Sequence, residues 1–565
     1  MGYTIASTVR ALRRSAPEPA FRPASASRPW RAALAGAAFA ALATLPGLGI
    51  GTLWDNSETA YGEVAREILI SHSWVVMHFN GVPWFVQPPL YFWLAALFAK
   101  ALGVGAFALR LPAALATIAA GGAVGYATAT LAGERAGVYA ALILSTSLMQ
   151  AVLGRLAIMD ALLDLFVTIG ILAIFRAYTG GRQVRAVIGA AIAIAFGVLA
   201  KGPVALAIVL LVIVPWLLFE RLRDASLSKP PLGLWLAAGG VLLAIDVPWF
   251  AMLCARAGAG SLDQLIGHYT FGRYFGTIEG QSGPVWYYVP VVILGFFPWI
   301  AYLPGAISAA WREGLTPTRS LNVHLARLAV VWAVIPFLFF SFAQTKLPNY
   351  IALELPALAL LVALWFDRIP LLGERRGVLI ATAVVPLSIG ALAIAIAIFV
   401  RDAHLVAGAE AVLGDLVWMG AIVFVGSILT FALFALGYTR FAPYALALTG
   451  VMMVWYTAIV AEPHAEPFKP IPRLAEVIRA NERSGDAIAI QGAAGGNALI
   501  FLTRPPVKTV GDSTDPRSTI CGARRVFLVT SKARAKDEAT YGRDRRELAA
   551  ADNDVLLLYA GPPCR

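Results

Sequence analysis

From about residue 32 onward the chain alternates long apolar runs with short polar turns. Runs near the ~20 residues that cross a bilayer fall at about 32–50, 109–131, 136–153, 160–178, 187–200, 203–219, 232–254, 286–308, 324–343, 350–366, 377–400, 414–436 and 440–461. This pattern predicts a polytopic α-helical membrane protein with about thirteen spans. One further run, PLYFWLAALFAKALG at 89–103, is short for a span and carries Lys100 near its end. If it crossed, every later loop would change sides, and the Arg-bearing loops at 179–186, 220–231, 310–323 and 367–376 would fall outside, against the positive-inside bias. The expectation is therefore an interfacial amphipathic helix at 89–103. That choice places the 51–90 loop, the 154–160 turn, the turn at Lys201, the 255–285 loop, the 344–350 turn and everything after 461 on the outer face.

The pattern changes at both ends. Residues 1–30 are rich in Arg, Ala, Ser and Pro and read as a disordered basic cytoplasmic tail. No small-residue cleavage site follows the first apolar run, so that run is expected to remain as an anchor at the start of a membrane domain over 31–461. After 461, Pro463, Pro467, Pro470 and Pro472 mark a linker, and short segments of alternating strand and helix character follow. They predict a small extracytoplasmic α/β domain over 462–565, in which Cys521 and Cys564 are candidates for a disulfide.

Composition narrows the class further. Hydrophobic residues make up 59% of the 565 and charged residues 14%, with a mean hydropathy of +0.73, which excludes an ordinary soluble protein. The formal charge of +12 is spread over short loops rather than gathered on one face, so no nucleic-acid partner is expected. The three cysteines, at 254, 521 and 564, have no metal-ligand spacing.

The polar groups that bear chemistry fall in the expected outer loops. Asp55, Glu58, Glu63 and Glu67 follow the first apolar run, and carboxylates at a membrane edge are costly unless solvated, paired or used. Trp84, Phe85 and the Pro88-Pro89 pair come next. Asp160 and Asp164 lie one helical turn apart at the start of a span, with Arg155 just before them. The plainer reading of Asp160 is a helix cap paired with Arg155. His268, Arg273 and Tyr274 precede the aromatic segment VWYYVP, and Lys346 and Tyr350 lie in a tight outer turn. There a lysine can hold a phosphate or extend to the interface.

Several of these pieces carry a resemblance: EVARE at 63–67, NGVPWF-x-QPPLYFWL at 80–94, RLP at 110–112, RLAIMDALL at 155–163, KGP at 201–203, GPVWYY at 283–288 and KLPNY at 346–350. In this order the sequence resembles the membrane glycosyltransferases related to the aminoarabinose transferase ArnT and to protein O-mannosyltransferases, over most of the chain. The resemblance implies a GT-C fold and a polyprenyl-phosphate-linked sugar donor. It also implies a lipid, glycan or protein acceptor, as in lipopolysaccharide modification, and transfer at the periplasmic face of a bacterial inner membrane. It departs from the family in two places. An adjacent Asp-Glu pair is usual where this chain has Ser57-Glu58, leaving Asp55 two positions upstream, and a lysine is common where Gln87 stands. Glu58 and Asp160 match family positions and Asp55 is the carboxylate nearest the altered slot, so Asp55, Glu58 and Asp160 become catalytic candidates. Trp84, Gln87, Lys201, Arg273, Lys346 and Tyr350 become donor-binding candidates. No cofactor is firmly implied, and His268 is the candidate position for a divalent metal.

A transporter or lipid flippase would share the polytopic, aromatic-rich composition. It should carry ionisable groups near the bilayer midplane and internal repeats. No clear repeat is found, and Asp246 and Glu354 are the candidate intramembrane charges.

Overall fold

A computed structural model describes residues 28–560 except 55–56, 181, 224–226, 279, 315–319, 373–374, 403–409, 494, 504–505, 512–521, 537–544 and 552–553. Asp55, the expected tail up to residue 27, and the Cys521–Cys564 pair lie outside the described residues.

The helices run in the order α1 (Pro29–Thr44), α2 (Ser57–Ser71), α3 (Leu90–Leu102), α4 (Ala106–Ala132), α5 (Glu134–Thr146), α6 (Leu148–Leu153), α7 (Asp160–Thr179), α8 (Gln183–Lys201), α9 (Val204–Leu222) and α10 (Leu232–Ala257). They continue with α11 (Tyr288–Gly295), α12 (Leu303–Gly314), α13 (Leu321–Phe342), α14 (Leu355–Leu372), α15 (Arg375–Thr382), α16 (Ser388–Asp402), α17 (Glu410–Ala435) and α18 (Ala442–Tyr456). Each of the expected apolar runs contains helix, but among the described residues only nine helices are long and apolar enough to cross a bilayer, or ten counting one bent pair. The differences have local causes. Helix α1 has 16 residues, and α5 ends where Ser147 turns extended. A π-helical turn over Ala383–Leu387, holding Pro386, separates α15 from α16. The run at 286–308 bends by 105° between Val285–Gly295 and Trp299–Arg312. Helix α3, at 13 residues, is too short to span, as its sequence led one to expect.

Exposure separates the bundle's inside from its lipid-facing surface. The most apolar windows of α10 and α17 are each only 22% buried, with Leu236, Leu243, Ile428 and Leu429 turned outward. Soluble proteins rarely leave contiguous apolar faces open to water. Inside, α1, α4 and α5 meet through glycines: a Cβ on Gly36 would lie 2.4 Å from the Gly121 carbonyl oxygen, and one on Gly125 2.5 Å from that of Ala32. Small residues here let backbones approach where apolar lipid offers no hydrophobic drive between helices.

The helix that begins as α18 continues through Phe468, and the first helix packed on the sheet of the α/β unit follows from Pro470. Helix α19 (Pro470–Asn481) packs on a five-stranded sheet with α20 (Gly496–Leu502). After a two-stranded hairpin in the outer loop, β1 (His78–Phe79) and β2 (Val82–Pro83), this sheet comprises β3 (Ala487–Gln491), β4 (Val507–Thr509), β5 (Arg525–Ser531), β6 (Arg546–Ala551) and β7 (Asp554–Ala560). Its order is β4-β3-β5-β7-β6, with β3 parallel to both neighbours and β7 antiparallel to its own. The unit rests on the outer loop. Asn80 exchanges side-chain hydrogen bonds with the backbone of Val507 at 2.8 and 2.9 Å, and Arg66 donates to the Phe501 carbonyl at 3.3 Å.

Candidate functional site

A cavity of about 350 Å³ opens at the end of the bundle that carries the outer loop. Asp160, Lys201, Gln87, Arg273, Tyr274 and Tyr350, six of the residues singled out from sequence, line it together with Asn349.

Each is placed by a local feature of the chain. Helix α8 stops at Gly202, whose φ of +88° suits a residue without a Cβ, and Pro203 leads into α9. The Lys-Gly-Pro turn thus leaves Lys201 in the last turn of α8, where a cation complements the helix dipole. Pro348 opens a 3₁₀ turn over Pro348–Glu354 that presents Asn349 and Tyr350. Arg273 follows a π-helical segment, Asp263–Gly272, and its carbonyl accepts from the Thr345 amide at 3.0 Å, pinning it to the 343–347 turn.

Within the cavity wall Asp160 is the anionic centre. Lys201 Nζ pairs with its Oδ1, and Asn349 Nδ2 donates to the same oxygen at 2.7 Å. Among the described residues both contacts fall on Oδ1, which leaves Oδ2 for a ligand. Lys201 also sits 5.2 Å from the Tyr350 ring centre, and Arg273 donates to the Tyr350 hydroxyl at 3.4 Å. Two cations and one carboxylate therefore converge around a phenol in a largely apolar chamber floored by Leu163, Val204 and Leu353. Such a site can hold a phosphate on its cations while orienting a hydroxyl on its carboxylate. Asn349 was not singled out from sequence; it lies within the KLPNY motif, and only the Asp160 contact gives it a role.

The remaining candidates lie elsewhere. Glu58 is 2% exposed and does not line the cavity. Arg110 grips it with two hydrogen bonds of 3.0 Å, and the amides of Trp54 and Ala157 donate to it at 2.9 and 2.6 Å. With both oxygens occupied it is a fastener rather than a free base. It ties the outer loop to the turn that delivers Asp160. Arg155, the expected partner of Asp160, instead donates to the carbonyls of Thr44 and Pro46 at 2.7 and 2.8 Å, closing the end of α1; burial lowers its pKa to about 10. Lys346 donates to the Ser341 and Ala343 carbonyls at 2.7 and 2.8 Å. It satisfies carbonyls at the end of α13, and burial lowers its pKa. Trp84 packs edge-on against Tyr61 and Phe92, centroids 6.1 and 5.1 Å away, outside the cavity lining. His268 stacks edge-on with Tyr269, and among the described residues no three His, Cys, Asp or Glu side chains come together to hold a metal. Asp164, Asp246 and Glu354 are buried within helices of the bundle.

Comparison with known proteins agrees with this architecture. The family described as dolichyl-phosphate-mannose-protein mannosyltransferase matches residues 86–251. Among curated proteins, the undecaprenyl phosphate-alpha-4-amino-4-deoxy-L-arabinose arabinosyl transferase of Edwardsiella ictaluri is 31% identical over 60% of this chain and 59% of its own length. That of Erwinia tasmaniensis is 30% identical over 64% of each. The match thus spans less than two thirds of these relatives. Among solved structures, ArnT from Cupriavidus metallidurans bound to undecaprenyl phosphate superposes with a TM-score of 0.78 at 22% identity, covering 93% of this chain and 97% of that one. This chain has the fold of that ArnT structure, as the resemblance read from its motifs implied.

Proposed function

We propose that this chain is a membrane glycosyltransferase that moves a sugar from a polyprenyl-phosphate donor to a lipid, glycan or protein acceptor on the outer face of the cytoplasmic membrane. The observation that carries the reading is the convergence of Asp160, Lys201, Arg273, Asn349 and Tyr350 on one chamber at the loop-bearing end of the bundle. The names of the relatives, which specify an undecaprenyl-phosphate-linked aminoarabinose donor, support the donor class.

In this reading the acceptor oxygen attacks the anomeric carbon, the bond from that carbon to the phosphate oxygen breaks, and the lipid phosphate leaves with the bonding pair. Arg273 and Lys201 stabilise the charge that develops on the phosphate, with Gln87 as a neutral donor beside them. Asp160 orients the acceptor hydroxyl through Oδ2 or takes its proton. Asp55, in the slot nearest the altered Asp-Glu position, is proposed as a second carboxylate. A phosphate acceptor, already ionised, would need no base.

The test incubates purified, reconstituted protein with radiolabelled undecaprenyl-phosphate aminoarabinose and a lipid A acceptor. Release of undecaprenyl phosphate coupled to label transfer is expected. Movement of intact donor across the bilayer without cleavage would replace this reading with a flippase.

A further inference from the structure

The segment Glu462–Lys469, where the last long helix hands over to the α/β unit, folds back on the start of the outer loop. Glu466 Oε1 accepts from the Thr52 amide at 3.1 Å and from the Thr52 hydroxyl. Lys469 Nζ donates to the Thr52 carbonyl at 3.1 Å, pairs with Glu466 at 2.9 Å and sits 4.1 Å from the centre of the Trp54 ring. Glu462 lies 3.8 Å from Arg110. Gly51 lies beside the Glu462 carboxylate, and its φ of +73° is the left-handed backbone that favours glycine.

These contacts run on toward the cavity. Arg110 donates to the Thr52 carbonyl at 3.3 Å and holds Glu58. Glu58 in turn accepts from the amides of Trp54 and Ala157, and Asp160 begins its helix three residues beyond Ala157. The handover segment therefore grips one end of a polar chain whose other end sets where Asp160 stands. Nothing in sugar transfer itself needs a Lys-Glu pair at this place; holding a loop in one position does.

We propose that Glu466 and Lys469 are positioning residues for the transfer reaction, clamping the Thr52–Trp54 segment so that the Glu58 fastener and the Asp160 turn keep their geometry. This rests on the transferase reading above. The test measures the full-length reconstituted protein in two ways: steady-state transfer from undecaprenyl-phosphate aminoarabinose, and backbone hydrogen exchange of peptides covering 52–60 and 525–531. Lys469→Ala and Glu466→Gln should each lower kcat about 10- to 100-fold, the scale of a small misplacement at a reacting centre, with KM for the donor little changed. Exchange should quicken over 52–60 but not in β5. Lys469→Arg, which keeps a cation over Trp54, should recover most of the rate. Unchanged exchange over 52–60, or unchanged kcat in both variants, overturns the proposal; so does equal quickening in β5, which marks a general loss of folding. If the wild-type protein transfers nothing while exchange over 52–60 still responds to Lys469→Ala, the transferase reading fails and the clamp stands as a structural device only.

Discussion

Asp160 and Glu58 are both buried carboxylates paired in space with a lysine or an arginine, yet their partners give them opposite roles. Glu58 spends every acceptor position on Arg110 and two amides, whereas Asp160 is held through one oxygen at a cavity wall. Their variants should therefore fail differently. Asp160→Asn should leave a folded protein whose transfer rate falls by ~10² to 10⁴, the range for a positioned proton-transfer group. Glu58→Leu should strand the Arg110 charge and destabilise by about 3–5 kcal/mol. Adding Arg110→Met to it should cost less than the two single changes summed. Thermal unfolding in detergent, beside the transfer assay at matched protein levels, separates the two patterns, and a stable but inactive Glu58→Leu would refute the fastener role. The same contrast marks what could be read from residue types. Lys201 and Tyr350 were singled out through the motifs that carry the family resemblance and Arg273 as a cation in an outer loop, and the three meet at one cavity. Glu58 and Lys346 were equally conspicuous, but their burial against amides and carbonyls depends on long-range packing that no local pattern carries.

At the scale of elements, helix α2 carries the outer loop across to the α/β unit, and a titratable group lies inside that contact. Burial pushes the Glu63 carboxyl up to about 7 from 4.5, despite its pairing with Arg66. Below pH 4.5 both folded and unfolded chains hold this proton. Between 4.5 and 7 the unfolded chain releases it while the folded one keeps it, so the stability Glu63 contributes declines as pH rises and is gone above 7. The melting temperature of the wild-type protein should thus fall between pH 5 and pH 8 relative to Glu63→Gln. Parallel curves for the two proteins would exclude the effect. Packing of α1 against α4 makes a second element-scale prediction. Gly125→Leu would drive a side chain into the Ala32 carbonyl, 2.5 Å from the first added atom, whereas a Cβ at Gly189 meets nothing within 4 Å. The first change should remove folded protein from the membrane fraction and Gly189→Leu should not, as measured by fluorescence-detected size exclusion. The glycines themselves were visible in the sequence. Which of them faced another backbone was not, since helices hydrophobic all round show no periodicity to point inward.

Over the whole molecule, the apolar runs foretold the class and the positions of the helices, but not which helices are long, bent or broken. That outcome turns on Pro386, on Ser147 and on the 105° bend after Gly295, where tertiary contacts overrode a run of uniform hydropathy. The charge distribution foretold something more specific. The turns placed on one face by the positive-inside argument, at 51–90, 154–160, 201, 255–285 and 344–350, meet around a single cavity and the α/β unit. Away from that cavity, Arg327 and His324 close on Glu220 at 2.9 and 3.0 Å at the start of the 220–231 loop, and Arg135 closes on Asp367 at 2.5 Å at the start of the 367–376 loop. Because the turns that the charge bias assigns to one face also line one cavity, the proposed orientation makes a firm demand on topology. An alkaline phosphatase fusion after residue 465 should be active and a green fluorescent protein fusion there dark, while the same reporters inserted in the 220–231 loop should give the reverse. Cysteine labelling across 89–103 by a membrane-impermeant reagent should find its accessible positions on the outer side alone, since α3 is too short to cross. Both fusion sites reporting the same compartment would remove the proposed arrangement of spans, whereas labelling of 89–103 from both sides would invert every loop after α3 and place the Asp160 chamber away from the face on which a polyprenyl-linked sugar is proposed to be met.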